Sequence, residues 1–145
     1  MHIRRQIREA AEARLTGLAT TGMRVFKHYY ALGDGDYPGL RVTTWNETSE
    51  RYGDAECGGL VRTIELYVEA WAAGDDELED LLDTMAEEVE IAVDADDTFG
   101  GLATDTILQS TEKAINSDGD QRVGRLLMTY AVRAQTGTGD PATAL

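Results

Sequence analysis

Cysteine and histidine are nearly absent from this chain: Cys57 is the single thiol among 145 residues, and His2 and His28 are the two imidazoles. One thiol closes no internal disulfide and builds no zinc site alone, which fits a reducing, cytoplasmic setting. Cations are scarce as well, with 13 Lys+Arg against 27 Asp+Glu and a formal net charge of −14. Binding a polyanion over the whole surface is thereby excluded, because neutralising phosphates needs a basic footprint. Direct recognition of nucleic acid is not expected. No stretch approaches the roughly 18–20 apolar residues of a membrane span. After the opening Met1-His2-Ile3-Arg4-Arg5-Gln6-Ile7-Arg8 come Glu9 and Glu12 rather than an apolar run, so no secretory signal is expected.

What is present supports one packed domain. A hydrophobic fraction of 42% over 145 residues is enough for a single core. We read residues 1–136 as that domain and 137–145, with Pro141, as a flexible C-terminal tail. Charge is segregated along the chain. Residues 1–30 carry Arg4, Arg5, Arg8, Arg14, Arg24 and Lys27 against Glu9 and Glu12. Residues 75–97 hold twelve acids and no base. A solvated acidic helix face is the plainest reading of that run. An electrostatic contact with the basic N-terminal segment of another copy is the more specific one.

Periodicity predicts the elements. Ile3, Ile7, Ala10, Ala11, Leu15 and Leu18 recur at helical spacing and place a helix over residues 2–18. Aromatic and β-branched content suggests a strand at 23–32, followed by the turn-forming Gly33-Asp34-Gly35-Asp36-Tyr37-Pro38-Gly39. Residues 40–45 alternate as a short strand. Residues 46–60 are polar and Gly-rich, and read as a long loop or an extended hairpin tip. The strongest strand is 62–72. Ile64, Leu66, Val68, Ala70 and Ala72 share one face, while Thr63, Glu65, Tyr67, Glu69 and Trp71 share the other. Leu78, Leu81, Leu82, Met85, Ala86, Val89 and Val93 make the apolar stripe of a second helix over 75–93. A strand at 106–115, a turn at 116–120 and a strand at 123–135 complete the order, the last with Leu126, Met128, Tyr130 and Val132 inward. The expected fold is α+β: a small mixed or antiparallel sheet of about 4–5 strands with two helices on one face. Trp45, Tyr67 and Trp71 then lie on the opposite face, and an exposed apolar patch of that kind marks an interaction surface.

Motifs for chemistry are few. Nothing in the sequence orients a histidine toward Cys57 for nucleophilic catalysis. Gly33-Asp34-Gly35-Asp36 has no lysine and two carboxylates, so it repels rather than cradles phosphate. Carboxylates alone suffice for glycoside hydrolysis, which keeps a small carboxylate- or Cys57-dependent hydrolase as an alternative of another class. Asp94-Ala95-Asp96-Asp97-Thr98-Phe99-Gly100 invites comparison with a calcium loop, but Phe99 occupies the glycine position and Asp105 the closing glutamate position. A helix stop and turn is the better reading, and no metal or cofactor is assigned. The residues left for contacts between subunits are Arg4, Arg5, Arg8, Glu79, Asp83, Glu87, Tyr67 and Trp71. Glu47, Glu50, Arg51 and Tyr52 are the candidates for a partner-binding loop.

The element order and short patterns also resemble a known family. The basic N-terminal helix precedes Tyr37-Pro38-Gly39-Leu40-Arg41-Val42, then Arg62-Thr63-Ile64-Glu65-Leu66-Tyr67-Val68-Glu69-Ala70. Asp76-Glu77-Leu78-Glu79-Asp80-Leu81-Leu82-Asp83 opens the second helix, and Val123-Gly124-Arg125-Leu126-Leu127-Met128-Thr129-Tyr130 follows. Over about residues 2–136 this resembles the tail terminator (tail completion, minor tail) proteins of long-tailed bacteriophages and gene transfer agents. The acidity of 75–97 and the residues after Gln135 depart from the family pattern. The resemblance implies a virion protein at the head-proximal end of the tail, assembled in the host cytoplasm. It implies a hexameric ring that binds the tail tube protein, halts tube polymerisation and faces the head-side connector. No catalytic residue comes with it. A head–tail joining or neck protein of the same particle is the nearest alternative.

Overall fold

The computed structural model describes residues 1–27, 30–54, 56–117 and 121–145. Among these residues two α-helices and six strands run in the order α1 (Ile3–Leu15), β1 (Val25–Lys27), β2 (Gly39–Tyr52), β3 (Gly59–Gly74), α2 (Leu78–Asp94), β4 (Asp105–Asn116), β5 (Arg122–Gly137) and β6 (Asp140–Ala144). One sheet contains every strand, ordered β1-β2-β3-β5-β4, and β6 pairs with β5. The β1–β2 pair is parallel and the others are antiparallel, so the sheet is mixed.

Both helices cover the same face. Ile3, Ile7, Ala11 and Leu15 of α1 are fully buried, as are Leu78, Leu82, Val89 and Val93 of α2. They meet the inward side chains of β3 (Ile64, Leu66, Val68, Ala70, Ala72) and of β5 (Leu126, Met128, Tyr130, Val132, Ala134) in one core. The alternation expected for 62–72 is the alternation observed, because a strand buried on one face must keep a period of two. The close approach of α2 to β5 is made at Gly124, where a Cβ would stand 2.7 Å from Leu82 Cδ1.

The α+β architecture matches the expectation, with differences at its margins. Of the strand predicted at 23–32, Val25–Lys27 is strand and 23–24 and 30–32 are not; His28 and Tyr29 lie outside the described residues, as does 118–120 of the expected turn. Of the two readings of 46–60, the hairpin is the observed one: β2 continues to Tyr52 and β3 resumes at Gly59. The register shifts between Thr44 and Glu47, a bulge that sets Trp45 and Asn46 against one residue of β3. At the turn Gly53 has φ +73, and a Cβ on Gly58 would sit 2.2 Å from the Tyr52 carbonyl, so only glycine fits there. Residues 140–144, expected in an irregular tail, form β6. Gly137 pairs with Asp140 and Thr136 with Ala144, while Gln6 Nε2 of α1 donates to the Ala142 carbonyl at 2.7 Å. Backbone pairing and one side-chain tie fix a segment whose composition signals only a turn.

Candidate assembly surfaces

The sheet face opposite the helices carries an ordered row of aromatic and charged side chains. Register places Arg41 beside Glu69 and Trp71 beside Arg125. Glu69 is 5% exposed and accepts from Arg41 Nε at 2.6 Å and Nη2 at 2.9 Å. Arg125 Nη1 donates to the same carboxylate at 3.3 Å. Both guanidinium groups lie over the Trp71 ring, 5.5 and 5.8 Å from its centroid. Tyr37 stacks on Trp71 at 6.5 Å, and Trp45 stacks on Tyr67 at 6.2 Å. A fork-on-carboxylate pair is charge-assisted and geometrically specific, so this cluster holds the Trp71 ring between its two guanidinium groups. Burial first, then Glu65, pushes the Tyr67 hydroxyl above its ordinary pKa, and it donates to Glu65 Oε2 at 3.3 Å. Trp45 stays 52% exposed. The three aromatics that alternation put on this face are there. Pairing Arg41 with Glu69 requires the β2–β3 register, which no single strand reveals.

The basic helix end has more internal partners than its spacing suggested. Arg4 pairs with Glu47 at 3.2 Å, Arg5 with Glu9 at 2.7 Å, and Arg8 Nη1 donates to Thr44 Oγ1 at 3.2 Å. Glu47 also receives Arg62 Nη1 at 3.1 Å, and Arg62 Nε reaches Thr136 Oγ1 at 2.9 Å. Glu47 therefore does not sit at the loop tip. The bulge turns it toward the helices, and it is a structural junction of α1, β2 and β3. Glu50 and Arg51 are exposed near the tip and Tyr52 is half-buried at its base.

Along α2, Asp83, Glu87, Glu90 and Asp94 form an exposed acidic stripe, while Glu79 pairs with Lys113 at 2.8 Å. Glu88 faces the other way and accepts from Thr20 N at 2.9 Å and Thr20 Oγ1 at 2.5 Å. Asp96 accepts from Thr98 Oγ1, from the backbone N–H of Thr98 and of Gly100, and pairs with Arg14 at 3.2 Å. These bonds, the Thr98 hydroxyl foremost, pull its pKa down to about 2. The turn is a stop that pins Phe99, at φ 50, into the core. Among the described residues no group of three or more His, Cys, Asp or Glu side chains is placed to hold a metal ion.

Of the residues a hydrolase would use, His2 lies at the start of α1 and Cys57 at the hairpin turn. His2 caps α1: its Nδ1 accepts from the Arg4 N–H at 3.1 Å, and burial, then the Arg4 charge, lowers its pKa. Cys57 is exposed at the hairpin turn, where its backbone N–H donates to Asp54 Oδ1 at 2.7 Å. His28 lies outside the described residues. No described helix is long and apolar enough to cross a membrane.

No family model and no curated protein matches the chain. Solved structures do, among them a chain described as "Virion of native gene transfer agent (GTA) particle". It is 18% identical, the match spans 91% of this chain and 92% of that one, and the TM-score is 0.38. A likeness of that degree carries no argument about what this chain does.

Proposed function

We propose that this chain is a structural protein of a phage-like virion, a tail terminator whose copies close into a ring, hexameric by the family resemblance. In this reading the ring caps the tail tube, stops its polymerisation and offers its other side to the head-side connector; it breaks and makes no covalent bonds. One observation carries it. The sheet face away from the helices presents Trp45, stacked on Tyr67 and 52% exposed, together with Trp71, which Arg41 and Arg125 flank. An aromatic face built to this order, on a chain that also segregates its charge, has the composition of a protein interface: aromatics and arginine at the centre, polar groups around. Head-to-tail contacts between unlike patches generate rings when the rotation closes. The test is to purify the protein, measure its mass in solution, and add polymerising tail tube protein. A terminator forms rings and caps tube growth. A neck or joining protein forms rings that leave tube growth untouched. Turnover of a substrate that is lost in Cys57→Ser, or in Asp94→Asn with Asp96→Asn, identifies a hydrolase instead.

A further inference from the structure

At the C-terminal end of α2 a cavity of about 330 Å³ opens between the helix and β4, lined by Glu90, Asp94, Thr106, Ile107, Leu108 and Tyr130. Three features of this place are unsatisfied among the described residues. Tyr130 is 2% exposed, and its hydroxyl has no hydrogen-bond partner among the described residues; a buried hydroxyl left unpaired is destabilising. Glu90 and Asp94 stand four residues apart on one helix face, where like charges repel. The last turn of α2 contains no base, so both carboxylates add to the negative end of the helix dipole. A cation relieves all three together. It neutralises the carboxylates and the dipole, and the phenol oxygen accepts one of its N–H groups.

We propose that Glu90, Asp94 and Tyr130 form a socket for a guanidinium group, filled on assembly by Arg51 of a second copy of this chain. Elimination selects the donor. Eight of the 13 Lys+Arg side chains have carboxylate partners in their own chain. Arg8 is held by Thr44 and Arg24 by the carbonyls of Pro38 and Thr20. Lys27 and Arg122 are in no ion pair among the described residues either, but Lys27 carries an ammonium rather than a fork, and Arg122 is half-buried beside the sheet. Arg51 remains, exposed at the end of a hairpin and in no ion pair among the described residues. A planar fork matches two carboxylates and a phenol oxygen better than a point ammonium does. The contact joins unlike patches, which is the geometry that rings require. The identity of the donor rests on the self-assembly proposed above; the socket itself does not.

The experiment has two arms. Calorimetric titration of the full chain with ethylguanidinium chloride, against sodium chloride at equal ionic strength, is expected to show saturable binding that is lost in Glu90→Gln with Asp94→Asn and weakened in Tyr130→Phe. Sedimentation velocity is expected to show self-association weakened by about tenfold or more in Arg51→Glu and in Asp94→Arg, the scale of one lost charged contact. The double variant R51E/D94R, in which the pair is reversed, is expected to recover association. All the charge changes are at exposed positions, so circular dichroism of each variant should match that of the parent chain. Binding of ethylguanidinium by a chain that stays monomeric supports the socket and removes the ring. Rings that persist in the E90Q/D94N variant, with no saturable ethylguanidinium binding, overturn the socket and leave the ring standing.

Discussion

The carboxylate of Glu47 lies 3.1 Å from the guanidinium of Arg62 on the neighbouring strand, beneath the first turn of α1, where Arg4 approaches the same oxygen at 3.2 Å. Arg62 is 8% exposed, and its Nε is taken by Thr136. Removing Glu47 strands a nearly buried cation. Because breaking such a pair costs more than forming it gains, Glu47→Ala should lower unfolding stability by about 3 kcal/mol. Urea denaturation followed by circular dichroism reads this directly. An unchanged midpoint would mean that the junction is decorative.

That junction also determines which arginines can test assembly. Arg4 is tied into the fold, so reversing its charge disturbs the monomer. Among the described residues Arg5 is exposed and paired with Glu9 in its own helix, and Arg8 holds one hydroxyl. If this helix end meets the acidic stripe of a neighbour at Asp83 and Glu87, Arg5→Glu with Arg8→Glu should shift the sedimentation profile toward monomer and leave the thermal midpoint in place. Assembly equal to that of the parent chain would limit these residues to a role in solubility.

On the open face, Trp45 and Glu69 should behave differently. Trp45 is 52% exposed, so Trp45→Ser removes interface area without emptying the core: association falls and stability holds. Glu69→Gln keeps the shape of the side chain but leaves Arg41 and Arg125 without their carboxylate. It should lower stability by about 2 kcal/mol, in the range for a mostly buried charged hydrogen-bond network, and also loosen the aromatic row. Near-ultraviolet circular dichroism of the tryptophans reports that loosening.

Acid should act through Asp96 and His2, both in the same direction. The folded-state pKa of Asp96, about 2, lies below the ordinary 3.8. Its contribution is therefore complete above the ordinary value and is lost as pH falls from there through about 2. His2 is held below 6.5, so its capping contribution is present above that value and declines as pH falls beneath it, because a protonated Nδ1 no longer accepts from the Arg4 N–H. Thermal midpoints of the parent chain and of Asp96→Asn should differ at pH 6 and converge near pH 2. A constant gap would show that the carboxylate charge is not what holds the turn.

How much of this was visible in the sequence depends on how local each signal was. The two faces of β3 and the apolar stripe of α2 follow from periodicity alone, because each element buries one face and the pattern is the trace of that burial. The outer half of β2 is polar, and its strand character comes from pairing with β3 and from the glycines at the turn. The six residues after Gly139 have no periodicity to read; β5 and Gln6 organise them. The alternation of β5 turns Tyr130 inward, yet its hydroxyl, unpaired among the described residues, shows only when α2 and β4 are in position around it. The Arg41–Glu69–Arg125 cluster was hidden for the same reason, since its members come from three strands and only register unites them.

The claim on which the account turns is that the molecule works as an assembly of its own copies. Size-exclusion chromatography with light scattering, across salt and protein concentration and with tail tube protein present, combined with negative-stain imaging of the eluted species, addresses it most directly. The account predicts a discrete closed oligomer that images as a ring and that dissociates as salt screens its charged contacts. A particle with the mass of one chain under every condition, tube protein included, would contradict it.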